Sequence, residues 1–306
     1  MPVSQPEIRL IKNKDIDYRK WDQCVNGSSI PLVYAQSWYL DLICPNWDTL
    51  VLGDFAYVMP LNIKQKFGIM FLLQPIYAQQ QGIFPEANLN IQNAFLSELY
   101  NRFKYVTINL SSSHSEPFPE GFSVQSRTNF ILNLTFAYDE LQKNYSQHTR
   151  RQIRKADDNK VFVIKGIQTG EYLELKKIAT PGKLAPQSMQ TLKRLLEYGS
   201  LHGNGTIYAA YNQQNELCAA AFFLYSGQRF TYLNAASNEE GKKVNAMHKI
   251  VDQFIQEHSG SLLTLDFEGS SIPGIARFYA GFGSEPEQYY CLKSNRLPIP
   301  LRWFKK

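Results

Sequence analysis

Nowhere along the 306 residues does an apolar run reach the ~18 positions that a membrane-spanning helix needs. The opening stretch, MPVSQPEIRLIKNKD, also lacks the continuous apolar core of a secretory signal. A cytoplasmic protein is therefore expected, with at most peripheral membrane contact. Cysteine is scarce. Cys24, Cys44, Cys218 and Cys291 are far apart, show no metal or redox spacing, and are expected to be reduced and structural. His114, His148 and His202 have no acidic or cysteine partners at ligand spacing, so no metal site is expected. No Ser-His-Asp or Cys-His arrangement has local support, which argues against a covalent enzyme intermediate. The excess of basic over acidic residues is small. The net charge is +5, which permits an anionic partner without demanding one, and DNA is not expected.

What is present suits a folded chain of one large or two ordinary domains. Hydrophobic residues make up 44% and aromatics 13%, enough for a substantial core. In the second half, Thr206–Tyr211, Leu217–Tyr225 and Arg229–Ala236 read as strands, with a hairpin turn at Ser226-Gly227-Gln228. Val244–His258 has helical spacing through Val244, Met247, Val251, Phe254 and His258. A strand from Leu262 follows, then a short helix, then a last strand at Gln288–Lys293. The first half repeats this order: a hairpin over Ala56–Ile63 and Ile69–Tyr77, a long loop, a helix over Ile91–Phe103, and strands at Tyr105–Leu110 and Phe130–Leu134. The repetition predicts a duplicated α/β unit, divided as 1–137 and 138–306. Between the halves, Tyr138–Lys160 reads as one helix with Arg150, Arg151, Arg154 and Lys155 on a single face. A further helix is expected over Gln187–Leu201.

The stretch richest in functional groups is Leu262–Gly283, LLTLDFEGSSIPGIARFYAGFG. Asp266 and Glu268 fall where the strand leaves the core. Ser270 or Ser271 can cap the next helix, and Pro273 suits its first turn. In open sheets, ligands gather at the carboxyl ends of strands.

The order strand, strand, glycine-bearing loop, helix, strand, short helix, strand resembles the fold of the GCN5-related N-acetyltransferases. Two copies in one chain resemble the FemAB-type aminoacyltransferases, which build peptide bridges on peptidoglycan precursors. Gln74–Phe84, the run Arg150–Ala156 and Asp266–Gly283 carry the likeness, which extends from about Tyr34 to the C-terminus. It implies two tandem acyltransferase lobes with mixed sheets flanked by helices. It also implies transfer of an acyl or aminoacyl group to an amine, on a cell-wall or envelope precursor. The acyl donor would be aminoacyl-tRNA or acyl-CoA, with no tightly bound cofactor. The acceptor side would take an anionic small molecule or a lipid-linked substrate, and tRNA is a candidate partner. An acetyl-CoA-dependent N-acetyltransferase and a non-catalytic module for anionic ligands stand as alternatives. One departure is plain. Acetyl-CoA enzymes carry a Q/R-x-x-G-x-G/A loop whose amides hold a pyrophosphate. Here the position reads Asn238-Glu239-Glu240-Gly241-Lys242-Lys243, with one glycine and two acids. No tRNA-binding helical arm fits between Val161 and Leu201.

Direct acyl transfer needs a base for the amine, polarisation of the carbonyl and alignment of both substrates. Glu268 or Asp266 can serve as base. Tyr279 can protonate the leaving group or simply pack. Backbone amides around Asn234–Ala236 can polarise the carbonyl. Arg277 can bind a carboxylate or phosphate, or pair with Glu268. Gly241, Lys242 and Lys243 are the candidates for holding a coenzyme phosphate. Gln79, Gln80 and Gln81 line a polar substrate cleft expected between the halves or form a solvated turn. Arg150, Arg151 and Arg154 either meet an anionic partner or form a solvated face, and His248 is read as solvated. The tail Arg302–Lys306 can touch a membrane surface or pack.

Overall fold

The structure is a computed structural model that describes residues 7–269 and 272–298; the tail at Arg302–Lys306 lies outside these. In chain order the first elements are β1 (Ile8–Ile11), α1 (Tyr18–Asn26), α2 (Ser37–Ile43), β2 (Asp48–Leu52), β3 (Tyr57–Leu61), β4 (Ile63–Lys66) and β5 (Ile69–Leu72). Then come α3 (Leu89–Arg102), β6 (Tyr105–Leu110), β7 (Ser123–Asn133), α4 (Tyr138–Lys143), α5 (Gln147–Asp158) and β8 (Phe162–Lys165). The rest are α6 (Thr169–Ala179), α7 (Pro186–His202), β9 (Gly205–Tyr211), β10 (Leu217–Ser226), β11 (Arg229–Ser237), α8 (Glu239–Lys243), α9 (Ala246–His258), β12 (Thr264–Asp266), α10 (Pro273–Ala280) and β13 (Glu285–Asn295).

These elements form two compact units, 1–127 with 288–306, and 128–287. The division differs from the expected one at 137/138, and the strand pairings explain why. In the first unit β4 pairs antiparallel with β5, β5 parallel with β6, and β6 antiparallel with β13. In the second, β10 pairs antiparallel with β11, β11 parallel with β12, and β12 antiparallel with β7. The two four-strand cores share one topology, with α3 and α9 as the crossover helices. Their last strands are exchanged. β7 follows β6 in the chain but completes the second core, and β13 follows β12 but completes the first. The duplication is therefore real, and its boundary is not a single point.

Local chemistry accounts for the elements. Lys66 and Ile69 face each other across Phe67-Gly68, a two-residue turn with positive φ at both positions. The hairpin between β10 and β11 turns the same way at Gly227. Asn88 caps α3 by accepting from the Ile91 N–H at 3.0 Å, and the helix buries Gln92, Phe95, Leu96 and Leu99. α9 buries Ile250, Val251, Phe254 and Ile255, each worth roughly 1.5–3 kcal/mol when fully removed from water. The expected single helix over Tyr138–Lys160 is broken in two. Ser146 ends the gap by accepting from the Thr149 N–H at 3.1 Å and donating its own N–H to Gly281 O. The stretch after α5, for which no element was expected, holds β8 and α6. A three-stranded sheet, β1-β2-β3, also precedes the first repeat's hairpin.

Candidate functional site

The second unit opens where β11 and β12 part. β12 pairs only with Arg229–Thr231, whereas β11 continues to Ser237. Between Tyr232 and Asn234, Leu233 is an extra residue against β10, a bulge that increases the local twist. The freed edge of β11 forms the floor of a cleft of about 620 Å³. Lys176 Nζ, on α6, donates to Ala235 O at 2.7 Å. Ala235 therefore turns its backbone away from β10. Because the N–H and C=O of one strand residue address the same neighbour, its N–H faces the open edge too. Asn234, predicted as a binding residue, lines the same floor, with Oδ1 accepting from Tyr172 OH at 2.8 Å.

Glu268 and Tyr279 both line this cleft. Glu268 has φ +58°, in the left-handed region that costs a non-glycine residue about 1 kcal/mol or more. Its N–H donates to Asp266 Oδ1 at 2.8 Å, which holds the turn. Tyr279 is 9% exposed. Burial raises its pKa, and the nearby carboxylates of Glu268 and Asp266 raise it further, so the phenol keeps its proton. Asp266 itself is fully buried and does not line the cleft. Its Oδ2 accepts from Arg229 Nη1 at 2.8 Å. The expectation that it acts on substrate is corrected: it anchors Arg229 and the backbone of Glu268.

The candidate coenzyme loop is packed as a structural turn. The Asn238 side chain accepts from the Gly241 N–H at 2.9 Å, so that amide is already used. A Cβ on Gly241 would lie 2.2 Å from Cys218 O, so glycine is required there by the approach of β10. Lys242 lines the cleft but pairs with Glu239 at 2.6 Å, and Lys243 points to solvent beside Glu240 at 3.6 Å. Gly241 and Lys242 both line the cleft.

Arg277 is on α10 but lines a neighbouring cavity rather than the cleft, and its Nε donates to Pro273 O at 3.3 Å. The salt bridge to Glu268 considered above is not among the described ion pairs. Arg151 and Arg154 are exposed on α5 and Arg150 is half-buried; none of the three lines the cleft. Ser270 and Ser271 lie outside the described residues, and Ile272 occupies the N-cap position of α10 with Pro273 in its first turn.

Gln79, Gln80 and Gln81 belong to the first unit, where they fill the position matching the cleft. β5 and β6 pair only at Phe71–Leu72 and Tyr105–Val106. Beyond that, the Asn109 N–H donates to Gln74 Oε1 at 2.9 Å, and the Gln81 N–H donates to Asn109 O at 2.8 Å. Ser111 N–H donates to Gln81 O at 2.7 Å, and Ser112 N–H to Gln80 Oε1 at 3.1 Å. Gln80 and Gln81 are buried. They satisfy the edge of β6 and are neither a solvated turn nor part of the second unit's cleft.

Two residues that the sequence did not single out as functional are prominent. His248, expected to be solvated, is half-buried between the cleft and the adjoining cavity. Phe278 packs edge-on at 4.8 Å, and burial lowers the His248 pKa to about 4, so the ring is neutral. Lys176 is 8% exposed, and burial lowers its pKa to about 8. Its helix was signalled by Glu171, whose carboxylate accepts from the Gln168 N–H at 3.0 Å. Nothing local marks His248.

Among the described residues, no helix is long and apolar enough to cross a membrane, and no cluster of three or more His, Cys, Asp or Glu side chains could hold a metal ion. No protein-family model and no curated protein matches the chain. Solved structures do match it. The chain superposes on FemX with a TM-score of 0.62 at 14% identity, covering 95% of this chain and 98% of that one. A tandem GNAT protein from the clavulanic acid biosynthesis pathway gives 0.55 at 13%, covering 95% and 99%. L-PGS from Bacillus licheniformis gives 0.54 at 10%, covering 94% of each. The chain has the duplicated GNAT-like fold that these proteins share.

Proposed function

We propose that the second unit transfers an acyl or aminoacyl group directly to an amine, in the cleft between β11 and β12. The observation that carries this reading is the free edge of β11 at Ala235 in a cleft that Glu268 also lines. The likeness to FemX, L-PGS and a tandem GNAT protein supports it at the level of the fold.

The acyl carbonyl lies against β11 and accepts from the Ala235 N–H, which stabilises the oxygen as it gains charge. The amine nitrogen attacks the carbonyl carbon. Its proton passes to Glu268, directly or through one water, a role worth on the order of 10²–10⁴-fold. The bond from the carbonyl carbon to the leaving oxygen or sulfur then breaks. Tyr279, which its raised pKa keeps protonated, gives its own proton to the leaving atom and is reprotonated from Glu268 or solvent. No enzyme nucleophile is needed if the acyl donor arrives activated.

On this reading the acceptor is an amine of a cell-envelope precursor, and the acyl donor is an aminoacyl-tRNA. Acetyl-CoA with a smaller amine is the second reading, supported by the tandem GNAT likeness. Single-turnover assays with each donor, followed by mass spectrometry of the acceptor, separate the two. Glu268→Gln is expected to abolish turnover and to leave donor binding within about twofold. Retained turnover would remove Glu268 as the base. Failure of every donor and amine pair would leave a binding module of the same fold.

A further inference from the structure

The loop that matches the acetyl-CoA enzymes' phosphate turn borders the cleft through Gly241 and Lys242, but part of it is already committed. The Gly241 amide is capped by Asn238, a Cβ-width of space is missing beside Cys218, and two glutamates stand at the start of α8. A cavity of about 790 Å³ adjoins the cleft on the other side of the α9 start, sharing His248, Gly274 and Phe278 with it. Its ionisable lining consists of His148, His248 and Arg277, with no carboxylate. His148 comes from α5, His248 from α9 and Arg277 from α10. The two imidazole centroids are 6.3 Å apart.

We propose that this cavity holds a phosphate-bearing part of the substrate against Arg277 and the His148–His248 pair, and that the bound phosphate favours the protonated ring of His248. The proposal rests on the acyl-transfer reading only in saying that the rest of the substrate lies in the adjoining cleft. The surroundings favour an anion. From α5, Arg151 Nη2 approaches His148 Nδ1 at 3.5 Å, and Gln152 Nε2 approaches its Nε2 at 3.4 Å. From α9, Lys249 faces α5 and is paired with Asp157 at 2.7 Å, which removes that carboxylate from competition. From α10, Arg277 donates through its Nε to Pro273 O, and among the described residues its terminal amino groups have no further partner, which suits a bidentate contact. Glu268 faces the cleft, beyond the shared wall.

The neutral state of His248 sets the pH dependence. Burial and the neighbouring His148 hold its pKa at about 4. A phosphate beside it favours the charged ring, so binding takes up a proton and affinity rises as the pH falls. This subsite replaces backbone amides by side chains. It therefore predicts that phosphate affinity is lost by changing side chains of α5 and α10 and not those of α8.

Inorganic pyrophosphate is the probe, titrated calorimetrically into the full chain in two buffers of different ionisation enthalpy. Binding is expected to tighten by about tenfold between about pH 8 and about pH 6, with proton uptake. Arg277→Gln and His148→Gln should each weaken it by about tenfold or more, and Lys243→Gln should leave it unchanged. Circular dichroism confirms that each variant is folded. Loss of affinity in Lys243→Gln with retention in Arg277→Gln would overturn the proposal, as would pH-independent binding or none at all. Coenzyme A and an acceptor-stem RNA, run as separate arms, identify which source supplies the phosphate. The outcome is independent of turnover: pyrophosphate bound without any acyl transfer keeps this subsite and discards the reaction, and transfer with Arg277→Gln unimpaired does the reverse.

Discussion

Asp266→Ala tests the division of labour between the two carboxylates. Asp266 is fully buried, and Arg229, its partner at 2.8 Å, has a side chain only 15% exposed. Removing the carboxylate leaves a largely buried guanidinium without its counter-charge, which costs about 3–5 kcal/mol. The Glu268 N–H loses its acceptor as well, and the left-handed turn at Glu268 loses its anchor. At ~2–4 °C per kcal/mol for a unit of this size, the second unit should melt ~6–20 °C lower. Urea unfolding followed by circular dichroism gives the free energy. The double variant Arg229→Met with Asp266→Ala should recover part of the loss, because the orphaned charge is gone, so the two changes should be clearly non-additive. Asp266→Asn keeps an acceptor for the Glu268 N–H and should retain more turnover than Glu268→Gln. A stability within about 1 kcal/mol of the parent for Asp266→Ala, or strict additivity in the double variant, would refute a structural role for this pair.

Gly241→Ala should destabilise by at least ~1–3 kcal/mol in the same unfolding assay, because the new methyl meets the backbone of Cys218 and not a flexible side chain. Lys176 has a folded pKa near 8, below its unfolded value near 10.4, so the unfolded chain binds more protons between those values. Stability should therefore rise with pH from about 8 to about 10, and Lys176→Met should lose that slope. His114 is buried in the first unit, where Nε2 accepts from the Ile83 N–H at 3.1 Å and burial lowers its pKa to about 4. Its neutral form is favoured on folding, so stability should fall by ~3 kcal/mol as the pH drops from about 6.5 to about 4, a loss that His114→Gln should reduce if it folds.

What could be read from the sequence was local. The β10–β11 hairpin, α9 and the first turn of α10 follow from Gly227, from apolar residues at helical spacing, and from Pro273. Glu268, Tyr279 and Asn234 were placed because a strand end beside a short helix is a recurrent ligand position. What could not be read depends on partners far along the chain. Asp266 looked like a second catalytic acid until Arg229, 37 residues earlier, took its charge. His248 looked solvated on its helical wheel because Phe278 and the α10 wall were not in view. The glutamines at 79–81 had the composition of a binding loop, yet their hydrogen bonds go to β6. The exchange of β7 and β13 leaves no mark on either strand, since each pairs antiparallel with a short parallel strand in the other core.

The duplication itself explains why one wedge is open and the other filled. When parallel strands part, each exposes an edge of backbone groups that must find partners or face water. In the first unit Gln74, Gln80 and Gln81 meet that need with main-chain and side-chain hydrogen bonds, and the edge of β6 is satisfied. In the second unit, the carbonyl of Ala235 is met from across the gap by a lysine that burial has made less basic. Its amide remains directed to the cleft. An edge left unsatisfied in a buried wedge is costly unless a polar ligand visits it. The second unit retains such an edge, in a cleft that Glu268, at φ +58°, also lines.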